Sequence, residues 1–169
     1  ADVSHYIKEG TALDEEAISR GTSVYFADRV VPMLPEALSN GVCSLNAGED
    51  KLTFSAIIHL DGEGNMEKYE FRKSVIRSKV RGVYSEVNEI FDKTASKELR
   101  EKYAPVIRGL NAARELANLL KERAKERGNM DLESVEPYFT LDENGVCIAV
   151  QPRVSGEAEQ VIEQLMVCA

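Results

Sequence analysis

The residues best suited to act on a charged polymer crowd the stretch from Arg72 to Arg81, which reads RKSVIRSKVR. On an extended strand, side chains two apart share a face, so Lys73, Arg77, Lys79 and Arg81 line one side with only Val75 among them. Such a row could meet phosphates. It could also guard an edge strand against aggregation, and the pattern alone favours this second reading. A hydrolytic centre is harder to find. His5 and His59 are far apart in sequence, each in a strand-like run, and a lone strand histidine usually has a structural role. Asp14, Glu15 and Glu16 are consecutive on a helix and fan outward to solvent, while Asp131 and Glu133 could share a strand face, with a metal role the lesser reading. In RGTSVYFADRVVPMLP, Tyr25 and Phe26 are adjacent, so an extended backbone sends them to opposite faces and at most one enters a core. The other aromatic needs a different use.

The chain of 169 residues suits one domain. Lys plus Arg is 21 and Asp plus Glu is 29, so the net charge is −8, the wrong sign for nucleic-acid binding driven by overall charge. Any polyanion site must be local. Cys43, Cys147 and Cys168 are odd in number and lack CxxC spacing, which favours reduced thiols used as small buried hydrophobes over disulfides or zinc. No apolar run approaches the roughly 18 residues of a membrane span and no signal peptide opens the chain, giving the expectation of a soluble, cytoplasmic protein without membrane contact. The opening ADVSHYI reads as a strand already under way and the closing EQLMVCA as an uncapped apolar helix face, so a piece of a longer protein is expected.

The elements that must position these residues are legible in pattern. TALDEEAISR places acids early, Arg20 last and Gly21 beyond, as a short helix prefers. TSVYF returns to strand composition, Pro32 and Pro35 make a stiff extended path, and PEALSNG turns helically toward Asn40 and Gly41. LTFSAIIHL and MEKYEFRKSVIRSK flank DGEGN as one hairpin, and EPYFTL and VCIAV flank DENG as a second. Between them lie GVYSEVNEIFD and a stripe of Tyr103, Val106, Leu110, Ala113, Ala117 and Leu120 at helical spacing, with KERAKER as its solvated end. In GEAEQVIEQLMVCA, Ala158, Val161, Ile162, Leu165 and Met166 share one side, and Glu159 and Glu163 the other. The expected class is α+β, a largely antiparallel sheet with hairpins and packed helices.

Taken together, ADVSHYI, Gly10, LDEEA, RGTSVY, PMLPEALSNGVCSL, SVIRSKVRGVY and VIEQLMVCA resemble, in order and spacing, the catalytic (RNB) domain of the ribonuclease R and ribonuclease II family. The resemblance covers essentially the whole chain, 1–169, and ribonuclease R is the nearer branch. It implies a parent enzyme that degrades single-stranded RNA processively from 3′ to 5′, releasing nucleoside 5′-monophosphates by magnesium-assisted hydrolysis. It also implies that the aspartate ligands lie upstream of Ala1 and an arginine-containing catalytic segment beyond Ala169. No catalytic or metal residue is then expected within this chain, and the piece alone is expected to be inactive.

What the resemblance leaves here is a substrate-holding part. Tyr25 matches an aromatic that stacks on bases near the 3′ end, Tyr84 a tyrosine at the same end of the channel, and Glu163 an acid near the 3′-terminal nucleotide. A carboxylate there can accept from ribose hydroxyls. Phe26 is left to pack. Three positions depart from the family pattern: Leu132 stands where an aromatic would complete a base clamp, Gln164 follows Glu163 in place of a second acid, and GVY replaces LTY before Tyr84. Two further readings stay open, a non-catalytic RNA-binding module or degenerate homologue, and a protein-interaction domain. Exposed apolar surface on the isolated piece would favour self-association.

Overall fold

The computed structural model describes residues 1–130 and 136–169. Asp131, Leu132 and Glu133 lie outside the described residues. In chain order the elements are α1 (Val3–Tyr6), α2 (Ala12–Arg20), β1 (Val24–Tyr25), β2 (Val30–Val31), a wide helical turn (Ala37–Val42), β3 (Asp50–Leu60) and β4 (Met66–Arg77). There follow α3 (Tyr84–Phe91), α4 (Lys97–Tyr103), α5 (Ile107–Glu126), β5 (Pro137–Leu141), β6 (Cys147–Pro152) and α6 (Glu157–Cys168). The strands pair in sequence order into three two-stranded sheets, the mixed α+β class with hairpins expected from the pattern. Among the described residues no helix is long and apolar enough to cross a membrane.

Two compact units emerge. One holds Ala1–Ser55, Lys73–Ser78 and the β5–β6 hairpin; the other holds Ala56–Arg72, α3 to α5 and α6. The second contains the apolar core: Val87, Phe91, Tyr103, Ala117, Ala158 and Val161 are buried together, with Val106, Leu110, Ala113 and Leu165 against them. From Tyr103 to Ala117 the predicted stripe therefore packs as expected, although it is carried by two helices, since the chain turns at 104–106 between α4 and α5. Against α3 and α5, α6 buries a narrower stripe than its sequence suggests, because Ile162 and Met166 remain exposed.

The start of α6 is held from outside. Its N-cap is Gly156, which has no side chain to offer, and Asn88 of α3 supplies the missing acceptor, taking the Ala158 N–H at 2.8 Å. The other end of the same amide donates to Glu159 at 3.1 Å, while Glu159 also accepts the Gly156 N–H at 3.0 Å. Arg114 of α5 completes the seam, bonding both oxygens of Glu157 at 2.6 and 2.5 Å with its guanidinium 4.8 Å from the Phe91 ring centre.

In the first unit, the buried residues Asp2, Lys51 and Thr53 are polar. Each is satisfied. Lys51 donates to the Gly41 carbonyl at 3.0 Å and pairs with Glu49, and Thr53 joins Ser55 and Ser74 in a hydroxyl cluster with contacts of 2.7 to 3.1 Å. Asp2 corrects the expectation that the chain opens as a strand: its carboxylate accepts from Ser4 and its carbonyl from the His5 N–H, which folds Val3–Tyr6 into a helical turn. His5 therefore sits on a helix.

Both long hairpins close with one device. Asp61 accepts the N–H groups of Glu63 and Asn65, and Asp142 accepts those of Asn144 and Val146, each aspartate replacing backbone acceptors inside its turn. The thiol expectation holds less well. Cys43 and Cys168 are half-buried and free, but Cys147 is exposed, as are Ile148 and Val150 on the opposite face of β6.

Two glycines should respond oppositely to alanine. A Cβ on Gly156 would lie 2.2 Å from the Asn88 amide nitrogen, so Gly156→Ala should cost about 1–3 kcal/mol by breaking that cap. Gly109, inside α5 with nothing within 4 Å of its would-be Cβ, should gain up to about 1 kcal/mol as alanine. Urea denaturation of the two variants checks both signs.

Candidate functional site

Tyr25 ends β1, and its strand is kept straight by pairing Val24 with Val31 and Tyr25 with Val30. The Phe26 N–H donates to the Arg29 carbonyl at 2.8 Å, closing a tight turn over Ala27 and Asp28. Beyond the ladder the proline path is tied back, Arg20 donating to the Pro32 carbonyl at 3.1 Å and the Met33 N–H to the Ser23 hydroxyl at 2.9 Å. Proline lacks a donor, so these bonds to its carbonyl and to the next N–H are what fix VVPMLP in place. The result is a rigid short hairpin with Tyr25 77% exposed on it. Phe26, expected to pack, is itself 53% exposed and meets the Arg29 guanidinium at 5.6 Å. A hairpin of two-residue strands has no second layer to bury either ring.

Tyr84 and Glu163 both belong to the second unit. Tyr84 is the first residue of α3, 42% exposed, and Glu163 is exposed on α6, the helix that packs against α3. Glu159, expected to share a solvent face with Glu163, is instead occupied at the helix start by Asn88 and Gly156. That leaves Glu163 as the acid of this pair without a capping duty.

The basic row does not survive as one face. β4 ends at Arg77; Ser78 instead gives its carbonyl to the Gly48 N–H, and Val80 packs on the helical core, so the alternation that would align Lys79 and Arg81 stops. Lys73 and Arg77 are in the first unit and already matched, Lys73 with buried Asp2 at 3.3 Å and Arg77 through two bonds to Asp50 at 2.6 and 2.8 Å. The Arg77 guanidinium holds the Asp50 carboxyl below the usual carboxylate range. Lys79 and Arg81, in the second unit, are exposed and have no carboxylate partner among the described residues.

A network that sequence reading missed lies beside Tyr84. Glu86 accepts from Lys102 at 2.5 Å and from the Tyr103 hydroxyl at 2.6 Å, and the same hydroxyl accepts the Val83 N–H at 3.0 Å. Lys102 first, then Tyr103, hold the Glu86 carboxyl below its ordinary range, while burial and the neighbouring carboxylate push the Tyr103 phenol up. The available signal was an absence: GVYSE puts valine at a helix start where Ser, Thr, Asp or Asn would normally cap, so a partner from elsewhere is required.

The family model described as the RNB domain matches residues 1–169. The chain belongs to the RNB family. Ribonuclease R of Thermotoga maritima is 48% identical over 170 residues, which is 100% of this chain and 24% of that protein. Ribonuclease R 1 of Lactococcus lactis subsp. lactis is 41% identical over 166 residues, 98% of this chain and 20% of that protein. The solved structure of Mycoplasma genitalium RNase R in complex with ribose methylated single-stranded RNA matches with a TM-score of 0.91 at 34% identity, covering 99% of this chain and 26% of that one. This RNB chain thus spans about a quarter or less of each of these three relatives. Among its described residues no group of three or more His, Cys, Asp or Glu side chains is arranged to hold a metal ion.

Two outcomes follow from the electrostatics. On the RNA-holding reading proposed below, replacing Lys79 or Arg81 with alanine in the full-length protein should reduce the salt slope of RNA binding by about 1 each, whereas Lys73→Ala and Arg77→Ala, already neutralised, should leave it nearly unchanged. Glu86 has its folded pKa below the ordinary value of 4.5, so its contribution to stability is complete above that value and lost as pH falls through the lowered one. Acid titration of folding should show this loss, and Glu86→Gln should flatten it.

Proposed function

We propose that this chain is the substrate-holding part of an RNB exoribonuclease that degrades single-stranded RNA from 3′ to 5′ into nucleoside 5′-monophosphates. The observation that carries the reading is the agreement of the whole chain with ribonuclease R relatives. Tyr25 offers its exposed ring to a base near the 3′ end, and Tyr84 and Glu163 act at the terminal nucleotide, Glu163 accepting from ribose hydroxyls. Lys79 and Arg81 are the better placed of the four cations to meet phosphates. The hydrolysis is magnesium-assisted, with its ligands outside this chain. The described residues do not fit a metal site, and no step of the hydrolysis is assigned to them.

The test uses the full-length protein and the 169-residue chain side by side, with magnesium and a labelled single-stranded RNA. Progressive release of 5′-monophosphates by the full-length protein alone is expected. Equal release by the 169-residue chain would place the catalytic residues inside it, and no release by either would remove the exoribonuclease reading. In the full-length protein Tyr25→Ala should weaken RNA binding by about 1–3 kcal/mol, the usual worth of one base stacked on an aromatic ring.

A further inference from the structure

We propose that Tyr103 is a positioning residue for Tyr84, its hydroxyl standing between the Val83 N–H and the Glu86 carboxylate so that the first turn of α3 is held in one orientation. This rests on the reading that Tyr84 touches RNA.

In an ordinary capping box a Ser or Thr at the N-cap accepts an N–H from the first turn, and a Glu three residues later reaches back to the N-cap N–H. α3 has the Glu at the right place, since Val83 is its N-cap and Glu86 stands three residues on, but valine has no acceptor. Glu86 does not close the gap alone. The Tyr103 oxygen is inserted, accepting from Val83 at 3.0 Å and donating to Glu86 at 2.6 Å. Lys102 donates to the same carboxylate oxygen, and its ammonium lies 5.2 Å from the Tyr103 ring centre.

The ring and the hydroxyl of Tyr103 have separable duties. At 1% exposure the ring fills the core between the helices, a task phenylalanine would perform as well. Both partners of the hydroxyl instead lie in α3's opening turn, on either side of Tyr84 in sequence. Tyr84 is partly exposed and its side chain has no hydrogen bond among the described residues, so its direction follows the backbone that this oxygen holds. Without it the Val83 N–H loses its acceptor and the turn is free to fray.

A double-mutant cycle in the full-length protein separates positioning from mere stability, because residues acting through one another are non-additive. Affinity for a fluorescent single-stranded RNA is read by anisotropy with a chelator present, and circular dichroism checks folding. Tyr84→Ala should weaken binding by about 5- to 150-fold. Tyr103→Phe should weaken it by about 3- to 10-fold in the wild-type background and by nothing further in the Tyr84→Ala background. If Tyr84→Ala has no effect, the RNA reading of Tyr84 fails and the proposal falls with it. If Tyr84→Ala weakens binding but Tyr103→Phe does not, or weakens it equally in both backgrounds, the proposal is overturned while that reading stands. Should Tyr103→Phe fail to fold, Glu86→Gln opens the relay from its other end and leaves the ring in place. Its effect in the two backgrounds then supports or overturns the proposal by the same criteria.

Discussion

The close approach of α6 to its neighbours is the constraint on which the helical unit depends. Ala117 and Ala158 are buried where α5 and α6 meet, and small side chains let backbones come near enough for the larger Val87, Phe91 and Val161 to interlock around them. That approach also shuts water out of the beginning of α6, where unpaired N–H groups would otherwise be solvated. A buried donor without a partner costs more than its bond would gain, so the partners must come from the packed helices themselves. Asn88 and Glu159 answer this need, and Arg114 with Glu157 ties the same end to α5. Gly156 is required there because any side chain would occupy the space of the Asn88 amide.

The other unit solves a different problem. With polar rather than apolar buried residues, its order comes from satisfied hydrogen bonds: the Thr53, Ser55 and Ser74 hydroxyls, Lys51 on a carbonyl, and Asp2 between Ser4 and Lys73. Such bonds each contribute only about 0.5–1.5 kcal/mol net, but they are directional and specify one arrangement. The Tyr25 hairpin belongs to this pattern. It is short, nearly all exposed, and positioned by Arg20 and Ser23 rather than by burial.

Features set by local chemistry are readable from sequence, and features set by distant partners are not. DGEGN and DENG announce their hairpins because an aspartate and a positive-φ glycine are enough to make the turn. The helical stripe from Tyr103 to Leu120 is readable because burial imposes its period. The opening turn at Val3–Tyr6 escapes sequence reading because it depends on Asp2 finding Ser4, the His5 N–H and Lys73, the last of these far along the chain. The basic row fails for a related reason: alternation predicts a face only while the strand lasts, and β4 stops at Arg77, before Lys79 and Arg81. For the candidate site, the resemblance picks out Tyr25, Tyr84 and Glu163, but nothing in the local sequence of Tyr103 shows that its hydroxyl reaches Val83.

On the proposed function, an acidic chain that is to hold RNA must keep its attraction local, and the ion pairs decide where. Lys73 and Arg77 supply charge to the fold, where Asp2 and Asp50 cancel it within a few ångströms, well inside the screening length of about 8–10 Å in physiological salt. A phosphate arriving there meets a near-neutral pair. Lys79 and Arg81 are not so matched, and they lead directly into the turn that carries Tyr84. On that proposal, these two cations and an aromatic ring three residues beyond Arg81 would form a compact binding element that works against the chain's overall charge. Stacking is insensitive to base identity and to salt, so such an element combines attraction that salt can tune with a grip that does not depend on sequence.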